Sequence, residues 1–172
     1  DTYRDNILSK LRFVDRQYIN QQQYSVFQEI GFEYNAIPNI PGNDALSGYF
    51  QSEKYFLDLK DSILNLFSYS NEHKENVLKK HSFLNNNSCS IHVRRGDYVS
   101  LSNIHPIQSI TYYMKAVRQM PEDSIFIIFS DDIEWCKNNF PNISEKFIFI
   151  ENLSDHESLT LMSMCKNNIL SN

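Results

Sequence analysis

Two adjacent arginines and an acid flank a glycine in the stretch HVRRGD at residues 92–97. Guanidinium groups bind phosphate through planar, bidentate hydrogen bonds and keep their charge at any working pH. Arg94 and Arg95 together are therefore a candidate clamp for a pyrophosphate. Gly96 would let the backbone turn sharply after the clamp, and Asp97 could orient one guanidinium through an ion pair.

The glycine-rich devices that usually bind nucleotides are missing from the sequence. Neither G-x-G-x-x-G nor G-x-x-x-x-G-K-[ST] occurs, and the chain has only four glycines. If a phosphate binds, arginine side chains must hold it. The arginine pair alone leaves two other interpretations open: a solvated loop after a strand, and a non-enzymatic adhesion module in which Arg95, Gly96 and Asp97 form an integrin-binding RGD tripeptide.

The arginines follow the first of four strand-like segments in the second half of the chain. Residues 89–93 alternate between apolar and polar side chains, and residues 124–129 form a continuous apolar run of strand length. Further strands are predicted at 146–150 and 167–171, and helices at 108–120, 131–140 and 158–164. This alternation predicts right-handed parallel crossovers, and hence an α/β fold with a doubly wound parallel sheet.

Polar residues follow every predicted strand of this sheet. In open parallel sheets, ligands bind outside the carboxyl ends of the strands, so the topology predicts a polar cleft at that edge. The residues are Arg94, Arg95 and Asp97 after the first strand, Ser130, Asp131 and Asp132 after the second, Glu151 and Asn152 after the third, and Ser171 and Asn172 after the fourth. Asp131 and Glu134 also have capping-box spacing, as do Ser154 and Glu157, which makes Asp131 a candidate helix N-cap as well.

The first 87 residues have a different character. Residues 1–34 have a helical composition, helices are predicted at 53–67 and 71–81, and a Pro/Gly/Asn-rich loop lies at 35–44. We therefore divide the chain into an α-rich segment at 1–87 and an α/β domain at 88–172.

Composition restricts the classes of function. The 172 residues are 41% hydrophobic with a formal net charge of -5, which favours a folded protein and argues against general nucleic-acid binding. No apolar run approaches the ~20 residues of a membrane-spanning helix. We expect a cytoplasmic protein, with any membrane association peripheral at the inner membrane. The odd number of cysteines without a close pair favours buried free thiols at Cys89, Cys136 and Cys165.

Four stretches together resemble one family. The HVRRGDY stretch at 92–98 is similar to the H-x-R-R-G-D-Y signature of bacterial α-1,2-fucosyltransferases, glycosyltransferase family eleven, whose R-R element also occurs in α-1,6- and protein O-fucosyltransferases. The stretches GYFQSEKYF at 48–56, FSDDIEWC at 129–136 and LMSMCKNNILSN at 161–172 resemble the same family. The resemblance covers most of the chain.

The resemblance implies a GT-B fold of two Rossmann-like halves. Residues 88–172 would form a donor-binding half truncated at its C-terminus, and residues 1–87 a helical linker and part of the acceptor side. It implies that Arg94 and Arg95 contact the donor pyrophosphate and serve catalysis, and that the donor pocket also includes His92, Gly96, Asp97 and Ser130. Asp131 or Asp132 would contact guanine. No cofactor or metal is expected, because the family works without one and adjacent aspartates lack D-x-D spacing.

By resemblance, the full-length protein would transfer L-fucose from GDP-β-L-fucose to a hydroxyl of a galactose-containing acceptor glycan. The product would be α-1,2-linked, with inversion. The alternatives are another GT-B enzyme that uses a different nucleotide sugar, and the adhesion module. The family's glycine-rich first strand and its Ser/Trp-rich later segment are missing. The chain is therefore expected to be the core of a longer protein and could lack activity by itself. The general base is not identified.

Overall fold

The chain divides into two compact units, residues 1–69 and residues 70–172, called here the first and the second unit. The computed structural model describes residues 2–5, 7–14, 25–39, 44–85, 87–141 and 145–171. No helix in these ranges is long and apolar enough to cross a membrane. The assignment of residues 1–87 and 88–172 to separate functional domains stays a prediction.

The first unit contains two short strands that the sequence analysis did not predict. Helix α1 (Thr2–Asp5) is followed by strands β1 (Ser25–Gln28) and β2 (Asp44–Ser47), which pair in parallel. Two 3-10 turns (Glu53–Tyr55 and Leu57–Leu59) lead into helix α2 (Lys60–Leu66). The helix predicted at 53–67 is therefore shorter and begins later. The predicted helical character of residues 15–24 lies outside the described residues.

A buried carboxylate fixes the turn after β2. Glu29 is only 7% exposed, and its Oε2 accepts hydrogen bonds from the backbone N–H groups of Tyr49 (2.7 Å) and Phe50 (2.8 Å). The bond from Phe50 is the largest cause of a lowered pKa for the Glu29 carboxyl. A Cβ on Gly48 would lie 2.4 Å from the Cβ of Glu29, so only glycine fits there.

The second unit contains a four-stranded parallel sheet flanked by helices. Its strand order is β5-β4-β3-β6. The first strand of this unit, β3, therefore lies inside the sheet, and the chain crosses back over β3 to form β6 at the opposite edge. The elements are α3 (Asn71–Lys80), β3 (Ser88–Val93), α4 (Ile110–Val117), β4 (Ile125–Ser130), α5 (Ile133–Asn139), β5 (Phe147–Phe149), α6 (Asp155–Met164) and β6 (Asn167–Ile169).

Both faces of this sheet are covered by helices, which confirms the predicted fold class. On one face, Ile91 and Ile128 pack with Tyr113 of α4 and Cys136 of α5. On the other face, Ile127 packs with Val77 of α3 and Leu161 of α6. Alternate residues of one strand therefore enter opposite cores, as a doubly wound sheet requires. This is a mixed α/β, Rossmann-like arrangement.

The predicted elements of the second unit are confirmed, with small shifts at their ends. Ser109 caps α4 by accepting the N–H of Tyr112 (3.4 Å). At α6, Ser154 is the N-cap residue and its hydroxyl donates to Glu157 (2.8 Å). Lys80 of α3 and then Ser154 lower the pKa of Glu157 to about 2. The predicted buried cysteines are confirmed as free, buried thiols.

Candidate functional site

The HVRRGD stretch lies at the carboxyl end of β3, where the strand order reverses. Connections run from β3 to β4 on one side and reach β6 on the other, so the end of β3 borders the crevice in which doubly wound sheets bind ligands. The ring Nδ1 of His92 lies 3.5 Å from the hydroxyl of Ser171, which follows β6. Burial is the largest cause of a lowered pKa for His92; the charge of Asp131 opposes this effect, and the charge of Arg94 adds to it.

Arg94 lies between two carboxylates. Its Nη2 binds Asp97 at 2.7 Å, and its Nη1 binds Asp131 at 2.8 Å. The predicted ion pair between Asp97 and one arginine is thus present, and the arginine is Arg94. The side chains of Arg94 and Asp97 are 40% and 55% exposed, and pairs this exposed contribute only ~0.2–1 kcal/mol. An incoming anion can therefore replace Asp97 at little cost.

Arg95 is held more tightly, at its Nε and not at its terminal amino groups. Its Nε binds Asp132 at 3.0 Å, its guanidinium carbon lies 4.1 Å from the centre of the Trp135 ring, and its side chain is 17% exposed. The two terminal amino groups of Arg95 have no hydrogen-bond partner within the described ranges. A guanidinium anchored at Nε keeps those groups available for bidentate contact with a phosphate.

Asp131 explains why a glycine follows the arginines. Its Oδ1 accepts the backbone N–H of Arg95 at 2.8 Å, and its Oδ2 pairs with Arg94. A Cβ at Gly96 would lie 2.5 Å from that Oδ2. The predicted reason for Gly96 was a sharp turn, and a 3-10 turn (Asp97–Val99) does begin directly after it. The structure adds that the residue must be small to admit a carboxylate from the neighbouring strand end.

Of the two roles left open for Asp131, the structure rules out the helix N-cap. Helix α5 begins one residue later than the capping-box spacing suggests, and Asp132 is its N-cap, because the Oδ1 of Asp132 accepts the N–H of Trp135 at 3.2 Å. Ser130 accepts the N–H of Asp132 at 2.9 Å and shapes this turn. Since Asp131 instead binds both arginines, it ties the end of β4 to the end of β3.

The carboxylates outnumber the guanidinium groups in this cluster. Asp97, Asp131 and Asp132 face two arginines, so the cluster as a whole is not a ready-made anion hole. Both oxygens of Asp131 and both oxygens of Asp132 have protein partners. A contact of either residue with guanine, which stays a prediction, would have to replace one of these partners.

The adhesion interpretation conflicts with this geometry. An integrin-binding RGD tripeptide needs an arginine side chain that a partner can reach along its length. Here the Arg95 side chain is mostly buried against Asp132 and Trp135, directly after a core strand.

Comparison with known proteins places the chain in a family. Residues 6–172 match the model of glycosyl transferase family 11. The chain belongs to glycosyl transferase family 11. Within that family it is similar to an alpha-1,2-colitosyltransferase of Escherichia coli, at 34% identity over 78% of this chain and 49% of the relative. It is also similar to the O-antigen biosynthesis glycosyltransferase WbnK of Escherichia coli, at 32% identity over 82% of this chain and 51% of the relative.

The chain spans about half the length of these family 11 relatives. No solved structure matches it significantly. The family assignment predicted from the four stretches is thereby confirmed, and glycosyl transfer is the activity that the family model and the relatives' names support.

The structure brings together most of the predicted site residues and adds one that was missed. Arg94, Arg95, Gly96, Asp97, Ser130, Asp131 and Asp132 form one connected cluster, and His92 lies beside it. Glu151 pairs with Lys137 at 2.5 Å instead of joining the cluster, and Asn172 lies outside the described residues. The added residue, Trp135, was not among the predicted site residues. Its position three residues after a capping aspartate was the one signal that could have placed it near the end of β4.

Proposed function

We propose that the intact protein transfers L-fucose from GDP-β-L-fucose to a hydroxyl of a galactose-containing glycan, forming an α-1,2 linkage with inversion. Family membership supports glycosyl transfer from a nucleotide sugar. The observation that carries the diphosphate part of the proposal is Arg95, which is fixed at its Nε at the switch point of the sheet with two terminal amino groups that have no partner among the described residues. The choice of fucose, galactose and an α-1,2 linkage rests on the resemblance of the four sequence stretches.

The chemical role of the arginines follows from where charge develops. As the acceptor oxygen attacks the anomeric carbon, the bond between that carbon and the β-phosphate oxygen of GDP breaks, and negative charge grows on the phosphate. Donors that are already aimed at this oxygen lower the barrier, because they need not reorganise during the reaction. Arg95 fits this role, since Asp132 and Trp135 fix it before the donor binds.

Arg94 would complete the clamp by exchanging partners. Its pair with Asp97 is exposed and weak, whereas Asp131 holds the other terminal nitrogen. A phosphate oxygen that replaces Asp97 keeps both terminal nitrogens of the Arg94 guanidinium paired. His92 is proposed to line the donor pocket.

A second candidate is colitosyl transfer, favoured by the similarity to the alpha-1,2-colitosyltransferase. The arginine clamp is compatible with both donors, because it addresses the diphosphate and not the sugar. The third possibility is a donor whose sugar is carried by a nucleotide other than GDP. The expectations that no metal or cofactor takes part, and that the protein works in the cytoplasm with only peripheral membrane contact, stay predictions.

The test is a kinetic comparison of arginine variants in the full-length protein. Arg95→Ala should lower turnover with GDP-fucose by on the order of 10², the loss typical of removing one preorganised donor to a developing oxyanion. Arg118→Ala, which removes an exposed arginine at the end of α4, is the matched control and should leave turnover unchanged. Equal kinetics for Arg95→Ala and Arg118→Ala would refute the assigned role.

Donor identity is tested in the same preparation. Initial rates with GDP-fucose, GDP-colitose, UDP-galactose and ADP-glucose separate the candidates. We expect the highest kcat/KM with GDP-fucose. A higher value with GDP-colitose would replace the fucosyl proposal by the colitosyl one, and turnover only with a UDP or ADP sugar would refute both.

A further inference from the structure

We propose that Trp135 is a positioning residue of the transfer reaction, which acts by holding the guanidinium of Arg95 in the orientation that meets the donor diphosphate. The inference rests on the proposed function of Arg95. It assigns a role to Trp135 through its contact with Arg95.

Asp132 and Trp135, which lie three residues apart at the start of α5, both contact the guanidinium of Arg95. Asp132 caps α5, and its Oδ1 accepts the backbone N–H of Trp135 at 3.2 Å while its Oδ2 accepts the Nε of Arg95 at 3.0 Å. The same carboxylate therefore fixes the backbone of Trp135 and the side chain of Arg95. This places the indole ring under the guanidinium, 4.1 Å from its carbon, well within cation–π range.

The indole is fixed on its other side by the core. Trp135 packs against the buried cluster of the sheet, and its ring meets Phe140 edge-on, with centroids 6.5 Å apart and an interplanar angle of 85°. A ring packed in this way keeps its position when the guanidinium rotates. The stacked face and the bond at Nε together restrict the rotation of Arg95, so its two terminal nitrogens keep one direction.

Arg94 provides an internal comparison. It also lies over an aromatic ring, but its guanidinium carbon is 5.4 Å from the centre of Tyr98, and Tyr98 stacks on His105. Tyr98 and Arg94 belong to the same loop after β3, so they can move together. The Trp135 contact joins the loop after β3 to helix α5. It therefore fixes the orientation of its guanidinium, whereas the Tyr98 contact, which lies within one loop, does not.

The expected loss follows from the strength of a cation–π contact. Trp135→Leu should lower kcat/KM for the donor between about 2-fold and about 30-fold, the range that such a contact supports. Trp135→Phe keeps an aromatic face and should lose less than Trp135→Leu. Tyr98→Leu, which removes the more distant ring contact, should also lose less than Trp135→Leu.

A double-mutant cycle separates positioning from a general structural effect. If Trp135 acts through Arg95, Trp135→Leu should cost little further activity in the Arg95→Ala background, because the group that it positions is already gone. If Trp135→Leu lowers activity equally in both backgrounds, it acts by another route and the inference is wrong. If Arg95→Ala itself has no effect, the proposed function fails. If Arg95→Ala is impaired and Trp135→Leu is not, only this inference fails.

A spectroscopic measurement tests the geometry without any activity. Trp135 is the single tryptophan of the chain, so the indole emission of the 172-residue chain reports on this contact alone. Removal of the covering guanidinium in Arg95→Ala should raise the acrylamide quenching constant, whereas Arg118→Ala should not change it. Equal quenching in wild type and Arg95→Ala would show that Arg95 does not cover the ring, and would overturn the inference even if the Trp135 variants fold poorly.

Discussion

Replacement of Gly96 by alanine should weaken the link between the ends of β3 and β4. The new Cβ would lie 2.5 Å from the Oδ2 of Asp131 and 3.2 Å from its Cγ, so the carboxylate must move. That oxygen pairs with Arg94, and the other oxygen accepts the backbone N–H of Arg95. The variant thus loses or weakens both contacts.

The size of the effect can be worked from these contacts. A hydrogen bond to a charged group contributes about 1.5–3 kcal/mol, and the partly exposed ion pair adds at most about 1 kcal/mol. We expect the free energy of unfolding to fall by about 1.5–4 kcal/mol, with the lower values if the ion pair contributes little. For a unit of this size, the thermal midpoint should fall by roughly 6 °C or more. Thermal unfolding followed by circular dichroism measures the shift directly.

A second variant identifies the cause of the loss. Asp131→Ala removes the carboxylate with which the Cβ collides, so Gly96→Ala should be nearly neutral in that background, and the two single losses should not add. If Gly96→Ala destabilises the Asp131→Ala protein as much as wild type, the collision is not with Asp131. The explanation of the glycine given above would then be refuted.

Two further predictions concern buried groups of the second unit. The hydroxyl of Tyr113 is buried without a hydrogen-bond partner in the described part of the chain, so Tyr113→Phe should leave the thermal midpoint unchanged or raise it. Tyr112→Phe should lower the midpoint, because the Tyr112 hydroxyl donates to the carbonyl of Leu170 at 2.7 Å. A lower midpoint for Tyr113→Phe than for Tyr112→Phe would contradict these contacts. Burial raises the thiol pKa values to about 11, 11 and 12 for Cys89, Cys136 and Cys165. At pH 8 the native chain should therefore show almost no reaction with a disulfide reagent, and three thiols should react after denaturation; rapid native labelling would show that the thiols are accessible.

The second unit was predictable because its core pattern is strong. The alternation at 89–93 and the apolar run at 124–129 each have one physical cause, a strand buried on one or both faces, and the structure shows both strands. Parallel order follows from the helical crossovers between strands. The polar residues at the strand ends could then be grouped before any coordinates were known, since parallel strands end at one edge.

The first unit was harder to predict because its strands are mostly exposed. Strand β1 has one half-buried residue among four, so its sequence carries no alternation that would distinguish it from a helix or a loop. Its pairing with β2 is fixed by contacts that are distant along the chain. The buried bond network of Glu29 likewise joins residues 20 and 21 positions apart, which no local pattern reveals.

Asp97 was predicted to pair with one arginine, but the contacts of Asp131, Asp132 and Trp135 with the arginines were not predicted, and they change how the site must be understood. From sequence, the two adjacent arginines form one pyrophosphate clamp. In the structure they differ: Arg94 is exposed and shared by two carboxylates, whereas Arg95 is mostly buried and supported at one end. Carboxylates that pair with arginines keep the guanidinium groups in place while no anion is bound, and one exposed pair can be exchanged for phosphate.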